Sequence, residues 1–100
     1  MTLAEFQRSV TAKTAPRGLA PPLVALWWAR KGDWDKAHEI VMDEEGRAAA
    51  WVHAYLHRVE GDAGNAAYWY RQAQRPAASG THDAEWAVIA AALLGETAWS

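Results

Sequence analysis

The chain contains no cysteine. Disulfides, thiolate nucleophiles and zinc–thiolate sites are therefore excluded together, as fits a reducing compartment. It also lacks a basic stripe: ten Lys and Arg are scattered against twelve Asp and Glu, for a net charge of −2. Nucleic-acid binding is thus without its electrostatic footprint. The longest apolar run is "WAVIAAALL", residues 86–94, far too short to span a bilayer. The opening "MTLAEFQRSVTAK" has no apolar segment of the signal-peptide kind, so a soluble, cytoplasmic protein is expected. No stretch alternates apolar and polar residues with the period of a strand. No glycine-rich phosphate loop is present, and no G-x-S-x-G elbow surrounds Ser9, Ser79 or Ser100.

What is abundant points to helices. Hydrophobic residues make up 51% of the 100 positions and charged residues 22%, the balance of one globular domain. Twenty-three residues are alanine, the best helix former, whose small side chain also lets helices approach closely. Seven tryptophans offer large apolar anchors for a small core.

Punctuation divides the chain. Thr2 and Glu5 have capping-box spacing, which predicts a first helix running to about Lys13. "TAPRGLAPP" breaks it, and Pro22 suits the first turn of the next helix, which ends at Gly32. Asp33 caps a third helix that Gly46 ends. A fourth runs from Arg47 to Gly61, and Asp62 caps a fifth that stops before Pro76. After the loop "RPAASG", Thr81 or Asp83 starts a last helix through "AEWAVIAAALLGE". Six helices in one domain are expected: an N-terminal helix and linker over 1–21, two hairpins over 22–76, and a loop and capping helix over 77–100.

A repeat lies in this pattern. Gly32, Asp33 and Ala37 recur as Gly61, Asp62 and Ala66, a constant offset of 29. Glycine reverses the chain, aspartate caps the second helix, and alanine sits where two helices cross closely. Gly32-Asp33-Trp34 with Ala37, and Gly61-Asp62 with Ala66, Tyr70, Ala73 and Pro76, resemble the tetratricopeptide-repeat family over residues 22–76. The likeness implies an all-α array of antiparallel hairpins. The offset is shorter than the family's 34, and Ala63 stands where its turn aromatic would be. The "HAYLHR…EGD…NA.YWYR" run is also similar to that of small bacterial helical proteins, a likeness that implies no activity. The apolar last helix, with Trp86, Ile89, Ala90 and Leu93 on one stripe, is expected to cover the open end of the second hairpin; a symmetric dimer is the alternative.

Two kinds of function fit. In the resembled family the first helix of each hairpin forms an inner, ligand-binding surface. Carried onto this chain, that surface takes Trp51, Tyr55 and Arg58 from one hairpin and Leu26, Ala29 and Arg30 from the other. Trp, Tyr and Arg dominate binding hot spots, and Arg beside rings can grip a carboxylate. The family's carboxylate clamp is absent, since Pro22, Leu26, Ala48 and Val52 occupy its positions. Tyr68 points away from the buried face set by Ala63, Ala66, Ala67, Tyr70 and Ala73. This reading expects a non-catalytic module, monomer or homodimer, that binds a protein or peptide and needs no cofactor.

The second reading rests on histidine. Val52, Leu56 and Val59 centre the buried stripe of the fourth helix. His53, His57 and Glu60 share one border, and Trp51 and Arg58 the other. Imidazoles at i and i+4 can grip one metal ion from one helix, and His38 on the preceding antiparallel helix could add a third. Ala54 follows His53, so the His-Glu-x-x-His metalloprotease pattern is missing. The structural alternative has these histidines hydrogen-bonded to Glu60, Glu39, Asp43 or backbone carbonyls. Asp43-Glu44-Glu45 reads as a solvated, polar helix end.

Overall fold

A computed structural model describes residues 1–95. The described residues form six helices and no strand: α1 (Leu3–Ser9), α2 (Pro21–Arg30), α3 (Trp34–Met42), α4 (Arg47–Val59), α5 (Ala63–Ala73) and α6 (His82–Leu94). Ser100, and the Glu96 end expected for the last helix, lie outside them.

The starts are where the capping chemistry puts them. Thr2 and Glu5 close a reciprocal capping box. Asp33 accepts from the Lys36 N–H, Asp62 from Asn65 and Thr81 from Ala84, each 3.0–3.2 Å. Pro21 and Pro22 open α2 at positions where a missing N–H costs nothing. α1 is shorter than its sequence pattern: it ends at Ser9 rather than near Lys13. The Ser9 hydroxyl donates to the Phe6 carbonyl and accepts from Trp27 Nε1, competing with the helical ladder at that point.

The 29-residue offset is written in the backbone as well as in the sequence. Gly32 N–H donates to Ala29 O and Asp33 N–H to Trp28 O; Gly61 donates to Arg58 and Asp62 to His57. Each of these pairs is displaced by the same 29 positions. Gly32 and Gly61 hold φ of 91° and 88°, a left-handed conformation that an L side chain adopts at a cost. Ala37 and Ala66 are both buried at the crossings they were expected to serve.

α2 with α3 and α4 with α5 are antiparallel hairpins, and α4 lies at the centre, packed on α2, α3, α5 and α6. The last helix departs from expectation. α6 does not stack on the open side of α5; it lies against α1, α2 and α4, across the first helix of each hairpin. Trp86 is its anchor, stacked on Phe6 with ring centroids 5.4 Å apart and donating Nε1–H to the Leu26 carbonyl at 2.8 Å. The reason is apolar area: Phe6, Leu26, Trp51 and Tyr55 would otherwise face water, and α6 is apolar enough to cover them.

Two smaller expectations also fail. Val59 is 38% exposed, at the last residue of α4. Ala63 is exposed at the first turn of α5, clear of the crossing that buries Ala66, Tyr70 and Ala73.

Candidate metal centre

Two helices bring three imidazoles together. His38 comes from the middle of α3, and His53 and His57 stand one turn apart on α4. One ring nitrogen from each lies within 4.8 Å of the other two. His38 Nε2 and His53 Nε2 are 3.1 Å apart, so one ring donates a proton to the other's lone pair. Two ligand atoms about 2.1 Å from a tetrahedral ion stand about 3.4 Å apart. The His38–His53 spacing is already close to that value. The rings of His53 and His57 stack at 4.9 Å, and His38 meets both edge-on, at 4.8 and 5.3 Å.

Two tryptophans hold the cluster from its flanks. Trp34 stacks on His38 at 4.8 Å, one turn earlier on α3, and its Nε1–H donates to the Leu56 carbonyl at 2.6 Å. Trp69 of α5 stacks on His53 at 4.0 Å, with the planes 14° apart. Flat rings on both sides limit how far the imidazoles can turn. His57 is fixed differently: its Nδ1 bonds to Glu60 Oε1 at 2.5 Å. Sequence reading found the three histidines and the Glu60 tie but missed both tryptophans. The i, i+4 spacing of Trp34 and His38 was a usable signal; Trp69 had none, being distant in sequence from its partner.

Burial disfavours the charged forms of His38 and His53. His53 is 5% exposed and His57 8%, with His38 half-buried. Desolvation, then the neighbouring His38 and His57, push the His53 pKa down from 6.5 to about 4. Desolvation and His57 lower His38 as well. Uncharged imidazoles at neutral pH carry the lone pairs that a metal needs. A cavity of about 370 Å³ reaches His53 and Trp69 from one end, with Glu44, Glu45, Arg47 and Gln72 around it. Among the described residues a second group, His57, Glu60 and Asp62, also converges, at the exposed end of α4.

The residues carried over as an inner binding surface stand elsewhere. Trp51 and Tyr55 are each 6% exposed, beneath the region where α6 and the loop before it pack. Arg58 bonds to Glu85 at 2.9 Å and also donates to the Gly80 carbonyl. Glu85 is buried, and the Tyr70 hydroxyl donates to its second oxygen. Arg30 reaches Asp83 at 2.7 Å and lies over the Trp86 ring. The chain's own α6 thus supplies the partners of Arg30 and Arg58. Tyr68 is the exception: it is 46% exposed, edge-on to Trp69. A buried glutamate on an apolar helix was not foreseen, and no spacing rule would have singled out Glu85.

No helix among the described residues is long and apolar enough to cross a membrane. The chain matches no family model, no curated protein and no solved structure.

Proposed function

We propose that this protein binds a divalent first-row transition metal ion through His38, His53 and His57. The observation that supports the reading is the meeting of three imidazoles from two helices at one point. An all-nitrogen donor set of this kind suits zinc, copper or nickel. Three protein ligands leave one tetrahedral position for water or a small molecule, as in catalytic rather than structural zinc sites. The cavity beside His53 gives room for such a fourth ligand. The reading is one of metal binding without an assigned reaction.

The test is native mass spectrometry of the tag-free protein, stripped and then reloaded with zinc. One ion per chain is expected, lost in His53→Ala and His57→Ala variants that keep their helical circular dichroism. A wild-type protein that takes up no zinc at micromolar free metal would sink the reading.

A second reading keeps the protein- or peptide-interaction module, now on a different surface. Val88 of α6 is 59% exposed and borders a cavity of about 410 Å³ lined in part by Trp51, Arg75 and Pro76. Sedimentation of the wild type and Val88→Asp tests it. An assembly that dissociates in the variant supports it, and a monomer in both counts against self-association.

A further inference from the structure

We propose that Glu60 is a positioning residue for this centre, fixing the tautomer and plane of His57 so that its Nε2 faces the ion. The proposal rests on the metal-binding reading above. An imidazole has two nitrogens, and only the one without a proton can ligate. Glu60 Oε1 stands 2.5 Å from His57 Nδ1, so that nitrogen carries the proton and donates it. Nε2 is then the bare nitrogen. His38 and His53 also meet through their Nε2 atoms. All three rings would therefore present the same nitrogen, the farther one from the backbone, to one point, and whichever of His38 and His53 donates in that bond shifts to its Nδ1–H tautomer when it ligates.

The local fold explains why the carboxylate is there. Glu60 is the C-cap of α4, with φ −79° and ψ −5°, so its backbone still follows the helix. Three residues after His57, its side chain falls on the same face as the imidazole. The chain then turns at once through Gly61, and the Asp62 N–H returns to the His57 carbonyl at 2.9 Å. The turn therefore anchors the His57 main chain while Glu60 holds its ring. The remaining rotation is limited by the stack on His53 and the edge of Trp34, 5.9 Å away. Carboxylate partners of this sort orient metal-binding histidines and raise their basicity, and losing one costs about 10–100-fold in metal affinity.

The alternative role for Glu60 is direct. With His57 and Asp62 it could itself hold an ion at the exposed end of α4. The geometry argues against it. An ion there would need His57 Nδ1 as ligand, which removes the proton that Glu60 accepts and turns the ring's other nitrogen into a donor facing His38 and His53.

Zinc affinity, measured by competition with a chelator, and the His57 tautomer, read from long-range proton–nitrogen NMR correlations, test this on the whole chain. The variants are Glu60→Ala, Glu60→Gln and Asp62→Ala. Wild type is expected to show His57 protonated on Nδ1 without metal. Glu60→Ala is expected to mix the tautomers and weaken zinc about 10–100-fold while still binding one ion. Glu60→Gln, whose amide oxygen can still accept from Nδ1, keeps the tautomer and loses less. Asp62→Ala removes the α5 cap and lowers stability without changing zinc affinity. Unchanged affinity in Glu60→Ala overturns the proposal and leaves the metal centre standing. A loss as complete as that in His57→Ala makes Glu60 a ligand, which also overturns it. A wild type that takes up no zinc removes the metal reading and this proposal together.

Discussion

The Nε2 atoms of His38 and His53 stand 3.1 Å apart, joined by a hydrogen bond between α3 and α4. Substituting either ring removes a ligand and also the contact that ties the two helices at mid-length. His38→Ala and His53→Ala are each expected to abolish stoichiometric zinc in native mass spectra. Their stability costs should differ: His53 is buried under Trp69, whereas His38 is half-buried at the edge. Urea titrations should show His53→Ala about 1–2 kcal/mol less stable than His38→Ala.

Acid should destabilise the metal-free protein in a definite window. The His53 pKa is about 4 in the folded chain against 6.5 for the free residue. Between those values the unfolded chain binds more protons, so stability rises with pH there and falls as pH drops from about 6.5 towards 4. The loss from this ring is on the order of 3 kcal/mol, and His53→Asn should flatten that part of the profile. Zinc should move the same loss to lower pH, because the ion competes with the proton. Thermal unfolding across pH 4–8, with and without zinc, measures both.

Trp86 carries the attachment of α6. It is almost wholly buried, stacked on Phe6 and bonded to the Leu26 carbonyl. Trp86→Ala is expected to cost about 3–5 kcal/mol, the range for deleting a buried large aromatic. Because α6 covers Trp51 and Tyr55, the variant should also bind a hydrophobic dye that the wild type does not. Equilibrium unfolding and dye fluorescence check the two effects separately.

The Arg58–Glu85 pair tests whether α6 is held by polarity as well as area. Glu85 is buried between Arg58 and the Tyr70 hydroxyl. Arg58→Ala leaves that carboxylate with one neutral donor and is expected to cost about 3 kcal/mol. The double variant Arg58→Met with Glu85→Leu should lose less than Arg58→Ala alone, since no charge then remains buried. A double-mutant cycle that proves additive would show that the pair is uncoupled.

The helices and their turns were legible because they are decided locally. Asp33, Asp62, Thr2 and Thr81 cap within three residues, and Gly32 and Gly61 take a backbone conformation that few other residues accept. The 29-residue repeat and the buried Ala37 and Ala66 followed from the same short spacings. His53 and His57 could be placed on one edge of α4 from the helical period, and His38 near them from the antiparallel packing expected of the preceding helix.

What local spacing could not decide is which surfaces meet across the chain. The sequence by itself determined six helices, two antiparallel hairpins and a pair of histidines on one edge of the fourth helix, with His38 as a candidate third. Only the tertiary structure decided that α6 covers the first helices of both hairpins, which buries Trp51 and Tyr55 and commits Arg30 and Arg58 to Asp83 and Glu85. It also decided that Trp34 and Trp69 clamp the imidazoles. The physical reason is that capping and turns are short-range and nearly one-valued, whereas apolar faces are non-directional. Several partners could bury Trp86 equally well by area, and the choice falls to the packing that also satisfies Glu85, Arg58 and the indole N–H.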